Sequence, residues 1–315
     1  MLGFLLRRLI QAIIVILVVL FGMVVLSHLI PGGAARAALG PRATALQIAQ
    51  FNNANGYNLP IWDQYIHYLW NLVHGNLGYS YRRNQGVTAV IFQYLPRTIA
   101  LVGISTVVAL IVAIPLGVLQ VIRRNKPIDY TLTGLSFIFY AMPPFLLGTI
   151  LILYFSLDLK WFPLVQPSDT LGYLFTHPQV LVLPVITLAA ITIASFSRYM
   201  RSSMMETLTE DYVRTAKAKG ATPNRVLYLH ALRNALLPIV TLLGLSIPAI
   251  VSGALITESV FNYPGMGLLA WRAAIDVDIP LLLGTTFIAT VATVVGSLLA
   301  DILYAIVDPR IRYAR

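Results

Sequence analysis

Six apolar runs, each about as long as a bilayer is thick, constrain this chain more than any other feature. A helix rises 1.5 Å per residue, so roughly 20 apolar residues cross a hydrocarbon core about 30 Å thick. The runs cover residues 9–30, 98–122, 130–157, 180–196, 236–256 and 280–307. They predict one all-α transmembrane domain over residues 1–315 with six spans, a long outer loop at 31–97 and a long loop on the opposite side at 198–235. Composition excludes the soluble alternatives. Of 315 residues, 58% are hydrophobic and 11% charged, where a soluble domain carries roughly 45–50% and about 25%. A disulfide scaffold is excluded by the lack of any cysteine.

Charge placement gives the orientation. The N-terminus, the connections between spans two and three and between four and five, and the C-terminus together hold 15 of the 22 Lys and Arg. Seven remain for the longer loops of the other side: Arg36, Arg42, Arg82, Arg83, Arg97, Lys160 and Arg272. The positive-inside rule then puts both termini in the cytoplasm. Nucleic-acid binding does not fit, because the basic residues are dispersed among loop ends rather than forming one stripe. Arg7 and Arg8 before an apolar stretch resemble a signal peptide, but a 22-residue run ending at Pro31-Gly32-Gly33 reads as a retained anchor.

Within the spans, ionisable groups are sparse. Only His28 and Asp301 fall inside them, with Arg198 and Glu258 just beyond two ends. A proton- or ion-coupled carrier would need more, since such groups are costly in a bilayer and kept for function. Asp301 has three readings: a partner for a basic loop, a gating group, or a substrate contact. Pro115, Pro143, Pro144, Pro184, Pro238 and Pro248 all lie in spans, where each removes a backbone hydrogen bond and bends the helix. No catalytic constellation emerges. The five histidines lack metal-ligand spacing, and there is no phosphate-cradling G-x-x-x-x-G-K-[ST] loop. A chain of this kind would draw on ATP only through a partner.

The loop at 198–235 carries the most local information. Thr209 is expected to cap a helix whose first turn holds Glu210 and Asp211, whose last turn holds Lys217 and Lys219, and which ends at Gly220. Thr222 and Pro223 then open a second helix running to about Asn234. Tyr212, Val213, Ala216 and Gly220 form a narrow small-and-apolar stripe open to close approach by another surface.

Residues 212–220, YVRTAKAKG, with His230 to Pro238, resemble the coupling loop of ABC-importer permeases of the dipeptide, oligopeptide and nickel family. Arg214 and Thr215 stand where the general importer pattern has Glu and Ala, while Ala216 and Gly220 match it. Further likenesses are Ile30-Pro31-Gly32, Asn76 to Ser80, Glu258 to Gly267 and Tyr304 to Tyr313, all similar to that family's first permease subunit. The resemblance implies a type I importer permease of the prokaryotic plasma membrane, moving short peptides or a related small solute such as a nickel chelate or glutathione inward. It further implies a second homologous permease, two cytoplasmic ATPase subunits that hold the ATP and Mg, and an extracytoplasmic solute-binding protein. On this reading Tyr212, Arg214, Ala216, Lys217, Gly220, Ala221 and Arg225 meet the ATPase, and Glu258 and Asp301 are candidates for the pathway or its gate. A secondary transporter and a non-transporting membrane scaffold are the rivals from other classes.

Two outer segments remain. Ile61, Tyr65, Tyr68, Leu69 and Leu72 recur at helical spacing beside Trp62 and Trp70, an amphipathic helix suited either to the membrane interface or to docking a binding protein. The loop at 257–279 reads either as an outer gate or as a plain surface turn.

Overall fold

The computed structural model describes residues 2–30, 33–40, 42–165 and 171–307, with side chains described throughout except at 2–5, 37 and 301–307. Pro31-Gly32 and the tail motif from Asp308 onward therefore lie outside the described residues. The chain is mostly helix. Its helices are α1 (Leu2–His28), α2 (Gly33–Leu39), α3 (Ala45–Asn55), α4 (Ile61–Val73), α5 (Val87–Ile122), α6 (Pro127–Ala141), α7 (Pro144–Leu151), α8 (Leu171–Thr176), α9 (Gln179–Thr207), α10 (Asp211–Ala218), α11 (Pro223–Arg225), α12 (Leu232–Ala235), α13 (Leu237–Ser252), α14 (Leu255–Val260), α15 (Met266–Ile275) and α16 (Ile279–Val307). Two π-helical turns, Ile152–Asp158 and Val226–Ala231, continue α7 and α11. A two-residue antiparallel ribbon pairs β1 (Tyr79–Ser80) with β2 (Gln85–Gly86).

Among the described residues, five helical stretches are long and apolar enough to cross a membrane, and six when one bent pair counts as a span. That pair is Pro127–Ala141 with Pro144–Asp158, bent by 101°. The cause is local. Met142 precedes Pro143 and sits at φ −74°, ψ 124°, because a residue before proline is pushed out of the helical region. Pro115, Pro184 and Pro248 lie within α5, α9 and α13. Several helices exceed the apolar runs that announced them: α1 begins at Leu2, α5 begins at Val87 and α9 continues to Thr207. Arg198, expected beyond a span end, is consequently an interior residue of α9.

The Cα positions form two compact units. The first holds the chain to Ile99 with Pro248–Glu258 and Pro264–Val295. Its helix α4 turns Tyr65, Leu69 and Leu72 toward Leu20 and Val24 of α1 and Leu283 of α16. The Tyr65 hydroxyl donates to the Leu17 carbonyl at 2.9 Å. Trp62, Ile66 and Trp70 stay largely exposed on the adjoining face, with the Trp62 ring stacked on Phe21 of α1 at 4.8 Å. Ahead of it, Thr44 and Gln47 make a capping box that starts α3. Asp278 caps α16 and accepts a hydrogen bond from Ser80, which fixes the β-ribbon.

The second unit holds Ala100–Ile247, Ser259–Tyr263 and the chain from Gly296. Here Ala113 and Val118 of α5, Phe196, Met200 and Met204 of α9, and Ala231, Ala235 and Ile239 form one buried cluster. In lipid there is no hydrophobic drive between helices. Close van der Waals packing over such small residues replaces it.

Candidate functional site

The loop after α9 is an ordered helical pair. Its first helix, α10, does not start as the sequence suggested. The N-cap is Glu210, without a side-chain capping bond, and the Thr209 hydroxyl instead donates back to the Glu206 carbonyl at 2.7 Å. Thr209 is thus bonded to the preceding helical turn. Gly220 has φ +83°, the left-handed conformation that ends a helix and suits glycine. Thr222 then accepts from the Arg225 amide and Pro223 takes the first helical position, as the sequence predicts.

Burial separates an anchoring face from a presented one. Val213 is fully buried and α10 packs against the π-turn Val226–Ala231. That turn, through Ala231, joins the cluster with α5 and α9. The Tyr212 hydroxyl accepts from Asn234 Nδ2 at 2.7 Å, tying α10 to α12. Arg214, Lys217, Gly220 and Arg225 face outward, while Ala216 and Ala221 are half-buried. Arg214 meets Asp211 at 3.4 Å, with both side chains exposed. The seven expected coupling residues thus lie along one helical pair whose underside is anchored to two long helices.

The anchor includes residues that sequence reading missed. Asp129, 2% exposed in the first turn of α6, receives two parallel hydrogen bonds from Arg201 of α9: Nε to Oδ1 and Nη2 to Oδ2, both 3.0 Å. The Asn125 amide (3.1 Å) and the Thr133 hydroxyl (3.4 Å) also donate to it. A forked guanidinium pair of this kind fixes geometry as well as charge. It sits at the end of α9 that leads into α10.

Glu258 occupies a different site, in the first unit. Its side chain is fully buried. It accepts from Leu268 N at 2.8 Å, Ala254 N at 3.2 Å and Thr98 Oγ1 at 3.1 Å, and Thr98 in turn accepts from Met266 N at 2.6 Å. In each of the three bonds to Glu258 a carboxyl oxygen is the acceptor. The backbone at Gly253, Gly265 and Gly267 approaches it so closely that a Cβ at Gly265 would overlap the carboxyl. Glycine is required there by space. Asp301 lies on α16, with its side chain outside the described residues.

A cavity of about 730 Å³ opens in the first unit. Asn53, Asn55, Gln64, His67, Asn71 and Asn76 line it with Tyr57, Tyr68, Tyr79 and Tyr81, and none of its lining residues is an acid, a lysine or an arginine. Burial raises the Tyr57 hydroxyl to about 12, with Tyr81 and Asp278 adding to the shift, and raises Tyr68 as well. Both phenols stay neutral near pH 7. Among the described residues no group of three or more His, Cys, Asp or Glu could hold a metal ion.

This combination of long apolar helices, a bent span and an ordered helical pair between spans has a counterpart among solved structures. A crystal structure of an amino acid ABC transporter with histidines has a chain that superimposes at a TM-score of 0.53 and 15% identity, over 69% of this chain and 94% of that one. Sequence comparison carries the assignment further. Residues 105–313 match the model of the binding-protein-dependent transport system inner membrane component, and residues 1–102 match the model of that family's N-terminal region. The chain belongs to this family of inner-membrane permeases. It is 41% identical to the oligopeptide transport system permease protein AppB of Bacillus subtilis (strain 168), over 99% of this chain and all of that one. It is 35% identical to the dipeptide transport system permease protein DppB of Escherichia coli (strain K12), over the full length of both. The protein is therefore a multi-pass inner-membrane subunit of an ABC importer, a family that works with an ATPase and a substrate-binding protein.

Proposed function

We propose that this permease imports short peptides, coupling to its ATPase through α10 and α11. The relatives, an oligopeptide and a dipeptide permease, supply the substrate class. The observation that carries the coupling role is the helical pair itself: a basic, outward face on a rigid base. An idle loop would need neither the left-handed Gly220 nor the Thr222 cap. Arg214, Lys217 and Arg225 form the charged part of the proposed ATPase contact, and Tyr212, Ala216, Gly220 and Ala221 its small-and-apolar part. In this reading both termini and α10 face the cytoplasm, and a second homologous permease completes the pathway. ATP and Mg belong to the two ATPase subunits. The outer segment faces the substrate-binding protein with its neutral, amide-lined cavity, while Trp62 and Trp70 of α4 rest at the headgroup level, where such rings are favoured. Glu258 holds the outer turn in shape rather than moving with substrate.

The natural chain has no cysteine, so an introduced one is unique. Lys217→Cys is expected to cross-link to the ATPase subunit with a short bismaleimide in membranes, and Arg83→Cys is not. The reverse pattern would contradict both the orientation and the coupling assignment.

A further inference from the structure

Arg198 and Arg201 lie three residues apart on α9, less than one turn, yet their surroundings differ. Arg201 is paired with Asp129. Arg198 makes no ion pair or hydrogen bond to any described residue, and its guanidinium carbon instead lies 4.7 Å from the ring centre of Phe137 and 5.0 Å from that of Tyr140. Those two residues are eight and eleven positions beyond Asp129 on α6, about 12 and 16 Å further along the helix from the Asp129–Arg201 pair.

The direction matters. A long basic side chain near the end of a span ordinarily runs its charge toward the nearby polar boundary. Arg198 runs the other way, along the direction in which Cβ bonds lean toward a helix N-terminus, and into the apolar stretch of two candidate spans. Phe137 and Tyr140 are each about half exposed, so the guanidinium beside them is not enclosed. An arginine at such depth is costly and marks a functional position. Cation–π attraction recovers only part of that cost, and five N–H donors in the guanidinium plane remain to be satisfied. A planar fork seated beside aromatic rings suits an oxyanion taken bidentately, a carboxylate or a phosphate, and of the two a peptide supplies the carboxylate.

We propose that Arg198, seated on Phe137 and Tyr140, is a carboxylate-binding site within the membrane-spanning region and takes the C-terminal carboxylate of the peptide in transit. The proposal rests on the peptide-import reading. The same chemistry could come from an acidic side chain of the second permease, and the test separates the two.

The complete importer in proteoliposomes would be given trialanine and trialanine amide, with ATP-driven uptake of each normalised to its measured affinity for the binding protein. The wild-type complex is expected to favour the free acid about tenfold after this correction. Arg198→Gln is expected to remove that preference by lowering uptake of the acid while leaving the amide unchanged, and Arg198→Lys, which keeps the charge without the fork, to fall between. An unchanged preference in Arg198→Gln, or an equal loss for both peptides in a complex that still assembles, would overturn the proposal. So would loss of the second permease on purification of the Arg198→Gln complex, which would assign the carboxylate to that subunit. Wild-type complexes that take up neither peptide with ATP would contradict the import reading itself, and with it the peptide as the source of the carboxylate.

Discussion

Gly220→Pro is expected to lower ATP-driven uptake at least tenfold while the protein still inserts and assembles. Three effects coincide at this position. Gly220 has φ +83°, whereas proline is locked near −65°. Its amide donates to the Lys217 carbonyl at 3.0 Å, and proline has no amide hydrogen. Lys219 sits at φ −80°, ψ 7°, a conformation disfavoured before proline. The turn between α10 and α11 must therefore reopen, and the outward face that the ATPase is proposed to meet is displaced. Gly220→Ala separates backbone from bulk. Nothing lies within 4 Å of a Cβ at this site, so alanine costs only the roughly 1–2 kcal/mol of a left-handed residue and should retain most uptake. The readout is the ratio of peptide transported to ATP hydrolysed. A Gly220→Pro complex with normal uptake and stimulated hydrolysis would remove α10–α11 from the coupling path.

The second large effect is expected at Glu258. Glu258→Ala removes the acceptor for Leu268 N, Ala254 N and Thr98 Oγ1 from a fully buried position. Each orphaned buried donor costs about 1–3 kcal/mol, so the loss should reach several kcal/mol across the three. Glu258→Gln keeps the shape but sets an NH₂ group against donors, and should fall between alanine and wild type. Thermal unfolding of the purified protein in detergent, with limited proteolysis of residues 253–268, measures this directly. A mobile gating carboxylate would behave otherwise: Glu258→Ala would then leave the midpoint and the cleavage pattern unchanged and alter transport alone.

These two sites show how unevenly the sequence exposes a membrane protein. Features that depend on neighbours along the chain were readable, such as the apolar runs, the α4 stripe of Tyr65, Leu69 and Leu72, and the Thr222-Pro223 helix start. Thr44 with Gln47, and Asp278 ahead of α16, carry equally local capping signals that a closer reading would have found. Thr209 misled because a hydroxyl can serve the helix behind it as well as the one ahead. The site residues that escaped depend on distant partners. Thr98 meets Glu258 across 160 positions and Asp129 meets Arg201 across 72, and no periodicity encodes either pairing. Arg198 escaped for another reason. Hydropathy falls where the first charge appears, so the fourth apolar run stopped at residue 196, although α9 continues through Arg198 and Arg201 to Thr207.

Peptide uptake by proteoliposomes that contain this chain, the second permease and the ATPase, with the binding protein outside and ATP inside, tests the central claim most directly. The account predicts accumulation of a di- or tripeptide that stops when ATP or the binding protein is omitted and that is indifferent to a collapsed proton or sodium gradient. Accumulation driven by such a gradient without ATP would contradict it.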